Sequence, residues 1–274
     1  MKSMNCNGKL IDLSSPKVMG VLNITPDSFF DGGRYKNDTQ ILSQVEKMLT
    51  EGATFIDVGA YSSKPGAIHI SEDEELKRIV PVIDLLLKNF PEIILSIDTF
   101  RSKVAQETIH TGAAIINDIS GGKMDNDMFA TVANLKVPYI LMHMQGTPQN
   151  MQQNPIYEDV TKEIIFFFAE QIRKLQQLMV NDIIIDIGFG FGKTIDHNFE
   201  ILKNLELFKS LDAPILAGIS RKSMLYKTLG ISAQEALNAT TSANTIALLN
   251  GAHILRVHDV KEAMEAVKIV SQVL

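Results

Sequence analysis

Eight short runs rich in β-branched residues recur along this chain, each followed by a segment with helical patterning, and that alternation leaves few folds open. The runs are "KVMGVLNI" (17–24), "FIDVGA" (55–60), "IILSIDT" (93–99), "AIINDIS" (114–120), "VPYILMHM" (137–144), "DIIIDIG" (182–188), "PILAGIS" (214–220) and "AHILRVH" (252–258). The segment "TQILSQVEKMLTEG" (39–52) reads as a helix that starts at a threonine cap and stops at glycine. In "SEDEELKRIVPVIDLLLKNF" (71–90) a serine cap precedes acids in the first turn, as the helix dipole favours, and Pro81 is expected to kink the helix. No Pro-, Gly- or Ser-rich linker interrupts the series. Eight strand–helix units in roughly 250 residues is the arithmetic of an α/β (β/α)₈ barrel, the TIM barrel, as a single domain. A doubly wound open sheet is the runner-up. The barrel would span 17–274, with residues 1–16 an N-terminal extension whose "CNGKLIDL" (6–13) forms a small turn and strand across the barrel bottom.

The bulk numbers narrow the function. A net charge of −6, with no basic run of five or more, argues against nucleic acid as a partner. The single Cys6 excludes an internal disulfide and a thiolate zinc cage, and fits a reducing compartment. The stretch "MKSMNCNGKLIDLSS" lacks an apolar core of signal-peptide length, and runs such as "IIFFFA" (164–169) are too short to span a bilayer. A soluble, cytoplasmic protein is expected.

In such a barrel the chemistry sits at the C-terminal ends of the strands. Nearly every run ends there in polar groups: Asn23, Asp57, Asp98, Asn117 with Asp118, His143, Asp186, Ser220 with Arg221 and Lys222, then Arg256 and His258. Carboxylates and amides facing a lysine suit a donor-rich heterocycle held by in-plane hydrogen bonds, and Arg256, His258 and Lys222 suit an anion. Other motifs fail. "GFGFGKT" (188–194) is one residue short of a phosphate loop and lacks the third glycine of a dinucleotide fingerprint, so its glycines are read as allowing close backbone approach to a flat ligand. Six histidines without a His-Glu-x-x-His pair speak against zinc hydrolysis, and His69, His110, His197 and His253 are read as structural or solvated. The "IIFFF" run would lie under a neighbour or in a subunit contact.

Taken in order, "VLNITPDSFFDGG" (21–33), "DVGAYSSKPGA", "SIDTFRSKVA", "INDISGG", "LMHMQGTP", "IDIGFGFGK", "GISRKSM" and "LRVHDV" resemble the motifs of the dihydropteroate synthase family, one per barrel strand, over essentially the whole chain from about residue 17. The resemblance implies a transferase of folate biosynthesis that joins (7,8-dihydropterin-6-yl)methyl diphosphate to 4-aminobenzoate and releases pyrophosphate. It implies that Asp98, Asn117, Asp186 and Lys222 hold the pterin, with Met142 packing near its ring. Asn23 resembles the family's magnesium contact, making Mg²⁺ the implied cofactor, and Asn23, Arg256 and His258 its diphosphate binders. Lys222, Arg256, His258 and Asp98 are the implied catalytic group. The 4-aminobenzoate site would be shared by loop one (Thr25, Pro26), loop two (Ser63, Lys64, Pro65), Phe191 and Ser223. Loop one, carrying Asp27, Phe29, Phe30 and the pair Gly32 and Gly33, would close over the mouth and exclude water. A homodimer is implied, with the 238–251 segment and the 158–179 helix as candidate contacts.

The chain departs from the family pattern in places. Loop two commonly reads Glu-Ser-Thr-Arg-Pro, whereas here it is Tyr61-Ser62-Ser63-Lys64-Pro65, and Lys64 loses arginine's planar fork. Contacts to 4-aminobenzoate and its sulfonamide mimics are expected to differ accordingly. Ile187 replaces a common proline and Phe30 a small polar residue. Two other functions fit a pterin barrel: a methyltransferase using methyltetrahydrofolate, and a non-catalytic pterin-binding protein. The "NITPDSFFDGG" and "SRKSM" stretches and the Arg256-x-His258 pair weigh against the first, and the presence of Asn23, Lys222, Arg256 and His258 against the second.

Overall fold

The computed structural model describes residues 3–24, 34–62 and 69–273, the stretch 34–37 by its backbone alone. The chain opens with an antiparallel hairpin of β1 (Ser3–Cys6) and β2 (Lys9–Asp12), turned at Asn7 and Gly8, both with positive φ. That is the Asn-Gly signature of a two-residue hairpin turn. The sequence reading found the turn and second strand but missed the four-residue first strand.

The barrel then follows as β3 (Lys17–Asn23), α1 (Arg34–Thr50), β4 (Phe55–Gly59), α2 (Glu72–Asn89), β5 (Leu95–Asp98), α3 (Ser102–Thr111), β6 (Ile115–Asp118) and α4 (Met128–Leu135). It continues through β7 (Tyr139–Met142), α5 (Val160–Gln177), β8 (Ile183–Asp186), α6 (Ile195–Lys203), a 3₁₀ turn (Leu205–Leu211), β9 (Ile215–Ala217), α7 (Ser223–Leu229), α8 (Leu237–Leu249), β10 (Ile254–Val257) and α9 (Val260–Val270). Strands β3 to β10 pair in parallel in chain order and close on themselves through β10 and β3. All eight expected strands are present, each shorter than its apolar run because the run continues into the turn.

One helix expectation changes, the start of the first barrel helix. Helix α1 begins at Arg34, so Thr39 lies inside it rather than at its start; residues 34–38 hold neither glycine nor proline to prevent the earlier start. Helix α2 does begin at Ser71, whose Oγ accepts the Glu74 N–H, and it runs on through Pro81 to Asn89. Pro81 lies on the exposed face, where water can satisfy the carbonyl that loses its partner.

The two-residue period of the strands separates two cores. Outward residues such as Val18, Ile56, Val58, Leu95, Ile97, Ile116 and Leu141 pack under the helices. Inward residues Met19, Phe55, Ile115, Ile140, Ile184, Leu216 and Ile254 form one buried cluster with Met4, Cys6, Ile11 and Leu13 of the hairpin region. The hairpin is tied down further where the Asn5 N–H donates to Asp182 and the Asn7 amide to Gly112 O. Burial accordingly raises the Cys6 thiol to about 12, which leaves it an inert core residue. The "IIFFF" run divides: Ile164 and Phe168 are buried, Phe167 lies against His143, and Phe166 is exposed.

Candidate active site

One turn of the strand period above the apolar floor, the inward side chains become polar. Asp57 on β4 is register partner of Ser96 on β5, and Gly59 of Asp98, so Asp57 lies one layer deeper than Asp98. Arg256 reaches across from β10. Its Nε and Nη2 lie 2.7 and 2.6 Å from Asp57 Oδ2, and its Nη2 donates to Asp98 Oδ2 at 3.0 Å. The Asn117 amide also donates to the same Asp57 oxygen at 3.0 Å. Asp57 Oδ1, Asn117 Oδ1 and Ser96 Oγ are buried and have no hydrogen-bond partner among the described residues. Asp57 was visible in the sequence as a strand-end carboxylate, but no role was attached to it.

The charges here are strongly perturbed. Burial raises Asp98 to about 7 despite Arg256, and the neighbouring Asp57 carboxylate adds to the rise. Burial also raises Asp186, although the Gly188 N–H donates to its Oδ1 at 2.8 Å. Burial opposes the charge on Arg256, yet Asp57 and Asp98 carry its pKa above the ordinary guanidinium value. Lys222 is lowered to about 8 by burial and then by Arg256, while Asp186 and Asp98 pull the other way. Its ammonium stands 4.3 Å from the centre of the Phe191 ring, a cation–π contact. The result is a half-buried cluster of three carboxylates, an amide, an ammonium and a guanidinium.

Around it lie the remaining candidates. Met142, almost fully buried, shares a cluster with Tyr61, Phe100, Met144 and Met151, against which Phe191 packs. Ser223 opens α7 and lines a cavity of about 260 Å³ together with Gln152, Lys193, Thr194 and Lys227. His258 is open to solvent at the strand end, and Ser220 Oγ lies 3.0 Å from its Nδ1 while accepting its backbone N–H. The protein packed around His258, then Arg256, lowers it to about 4. Asn23 Oδ1 and Asp98 Oδ2 each lie 3.6 Å from where a Cβ on Gly59 would sit, so the two oxygens flank the same glycine. Thr25, Pro26, Asp27, Phe29, Phe30, Gly32 and Gly33 of loop one, and Ser63, Lys64 and Pro65 of loop two, fall outside the described residues.

Three strand-end residues belong elsewhere. Asp118 points outward and takes hydrogen bonds from Tyr139 Oη at 2.6 Å, from Ser120 and from the Gly122 N–H. His143 is buried against Phe167 with its Nδ1 3.0 Å from Lys193 Nζ. Arg221 grips Asp259 at 2.8 and 2.9 Å and the carbonyls of Ala233 and Gln234. The glycine loop also reads differently. A Cβ on Gly188 would sit 2.1 Å from His143 O, and one on Gly192 2.4 Å from Gln145 O, so these glycines admit neighbouring backbone rather than a ligand. Lys193 is buried in that loop, donating to the carbonyls of Gly188, Phe191 and His143.

A family model described as "Pterin binding enzyme" matches residues 19–258. The dihydropteroate synthase of Escherichia coli strain K12 is 42% identical over 269 residues, 97% of this chain and 95% of that protein. Among solved structures, the Yersinia pestis dihydropteroate synthase in a sulfonamide drug complex superposes with a TM-score of 0.93 at 42% identity, covering 99% of each chain. The Thermus thermophilus dihydropteroate synthase in complex with 4-aminobenzoate gives 0.90 at 31% identity, covering both chains completely. Matched along its length in sequence and in fold, this chain belongs to the dihydropteroate synthases of the pterin-binding family.

Proposed function

We propose that the cluster at the barrel mouth carries out the family reaction, joining (7,8-dihydropterin-6-yl)methyl diphosphate to 4-aminobenzoate with release of pyrophosphate. The observation that carries this reading is the gathering of acceptors and cations at one end of the barrel: Asp98, Asn117 and Asp186 beside Lys222 and Arg256. A dihydropterin presents an edge of N–H donors and ring acceptors. Asp186 would accept paired N–H bonds from its aminopyrimidinone edge, Asp98 and Asn117 would take further N–H groups, and Lys222 would donate to ring oxygen or nitrogen. Met142 would pack on the ring face.

The bond between the methylene carbon and the diphosphate oxygen breaks with its electron pair leaving on the diphosphate. Arg256 and His258 would stabilise that departing charge. Ser220 Oγ accepts the His258 backbone N–H and holds the ring through Nδ1, which orients Nε2 away from the serine. The pterin-methyl cation, stabilised by the electron-rich ring and the nearby carboxylates, is then captured by the amine lone pair of 4-aminobenzoate, and the nitrogen passes its extra proton to the released pyrophosphate or to water. This dissociative order suits a weak amine nucleophile. Phe191 and Ser223, together with Thr25, Pro26, Ser63, Lys64 and Pro65, would position the aminobenzoate.

Among the described residues no group of three carboxylate, histidine or cysteine side chains is placed to hold a metal ion. A magnesium ion held mainly by phosphate oxygens and water needs no such group, and Asn23 Oδ1 beside Asp98 is the hard-oxygen setting it prefers. Asn23 would hold it, and the ion would supply neutralisation of diphosphate charge. We read residues 1–16 as a cap and 17–274 as the pterin-binding barrel. A cytoplasmic homodimer is the form proposed, supported by exposed apolar residues Ile246 and Leu249 on α8 and Phe199 on α6. Among the described residues no helix is long and apolar enough to cross a membrane.

The test follows dihydropteroate by mass and pyrophosphate in parallel, with and without magnesium. Matched, magnesium-dependent yields are expected. Pyrophosphate without dihydropteroate would mean that water captures the cation. Absence of both products with folded protein would overturn the assignment.

A further inference from the structure

Asp57 is fully buried, and its two oxygens are used unequally. Oδ2 accepts two hydrogen bonds, from Arg256 Nε and Asn117 Nδ2, and lies 2.6 Å from Arg256 Nη2, whereas Oδ1 receives none among the described residues. A carboxylate oxygen only accepts, so the Asn117 amide must turn its nitrogen toward Asp57. Its oxygen is thereby left over, and that oxygen is buried without a partner among the described residues. A buried acceptor in that condition is costly unless a ligand supplies the donor. Asn117 thus offers its oxygen to an N–H and cannot offer its nitrogen in that direction. Arg256 is constrained by the same contact. Its Nε and Nη2 edge is committed to Asp57 and Asp98, while Nη1 has no hydrogen bond among the described residues.

We propose that Asp57 is a positioning residue for the reaction: it fixes the amide of Asn117 with its oxygen toward the pterin, and it pins one edge of Arg256 so that the other faces the diphosphate. This rests on the reading of the site given above. Asp57 acts through two other side chains, on β6 and on β10, and so links recognition of the ring to recognition of the leaving group. Without it the amide is free to flip, and Arg256 is free to fold onto Asp98 alone.

The test compares the wild-type enzyme, Asp57→Asn and the exchange variant Asp57→Asn/Asn117→Asp. Calorimetry measures binding of inorganic pyrophosphate and of 6-hydroxymethyl-7,8-dihydropterin, and steady-state kinetics gives KM for 4-aminobenzoate. In Asp57→Asn both affinities are expected to fall about tenfold or more, with the aminobenzoate KM within about twofold of wild type. The exchange variant restores an amide-to-carboxylate hydrogen bond and again leaves an acceptor oxygen at position 117. It should recover pterin affinity but not pyrophosphate affinity.

Unchanged binding of both ligands to Asp57→Asn overturns the proposal. An equal decline in all three constants together with a lowered thermal transition reduces Asp57 to a structural residue and overturns it as well. Should Asp57→Asn fail to fold, wild-type pyrophosphate affinity in the exchange variant has the same force. If the wild type makes no dihydropteroate yet Asp57→Asn still weakens both ligands, the assigned reaction falls while the positioning role stands.

Discussion

Asp98 and Arg256 meet at 3.0 Å between carboxylate and guanidinium, yet burial holds Asp98 at about 7 in spite of that contact. On the other side of the site burial lowers Lys222 to about 8. The carboxylate therefore gains its charge as pH rises through about 7, and the ammonium loses its charge as pH rises through about 8. If both charged forms serve the reaction, kcat/KM for the pterin diphosphate rises on the acid side and falls on the alkaline side, giving a narrow bell. In Asp98→Asn the acid limb should disappear and the alkaline limb remain. A profile flat from about pH 6 to 9 in the wild type would contradict these roles.

The substrate role proposed for Lys222 predicts little effect on the fold, since its ammonium meets only the Phe191 face and the fields of its neighbours among the described residues. Lys222→Ala should lower turnover by about a hundredfold, the scale on which one preorganised donor acts. The thermal transition should stay near that of the wild type. Near-normal turnover in a folded variant would remove Lys222 from the mechanism.

The Arg101–Glu75 pair lies beside the base of loop two and is a stability element. Glu75 is fully buried, with one oxygen accepting Thr99 Oγ1 at 2.7 Å and the other paired with Arg101. Arg101 also donates to Ile70 O at 2.6 Å and lies 5.0 Å from the Phe100 ring centre. Burial raises the Glu75 pKa even with these partners. Arg101→Met should cost about 3–5 kcal/mol in urea unfolding, because a buried carboxylate is left without its cation. Adding Glu75→Gln should return part of the loss. A cost below about 1 kcal/mol would mean that Glu75 is already neutral in the folded protein.

The barrel was legible because its signal is repeated eight times, so errors at single ends did not change the count. The site was legible only to the level of strand ends. Asn117 and Asp118 are adjacent and polar, but the strand period sends one inward to Asp57 and the other outward to Tyr139. Counting from inward Ile115 would have separated them. Arg221 and Lys222 have no such period to follow. They lie in a turn where Arg221 takes a positive φ of 54°, and its partner Asp259 is distant in sequence. Lys193 was set aside for the right reason, a failed phosphate-loop spacing, but its role as donor to its own loop's carbonyls depends on three-dimensional closure that no spacing encodes.

Gly188 and Gly230 share a positive φ and differ in surroundings, which allows a separation of two costs. Their φ angles are 68° and 67°. Gly230 follows α7 with nothing within 4 Å of an added Cβ, whereas the Cβ at Gly188 would sit 2.1 Å from His143 O. Gly230→Ala should therefore lose about 1 kcal/mol, the cost of placing an L side chain in the left-handed region. Gly188→Ala should lose about 2–4 kcal/mol in the same urea titration, because the β7 and β8 loops must separate. That separation also shifts Asp186, whose Oδ1 accepts the Gly188 N–H, so pterin affinity should fall in Gly188→Ala and hold in Gly230→Ala. Equal losses from the two substitutions would show that the loops part freely and that Gly188 answers only to its φ.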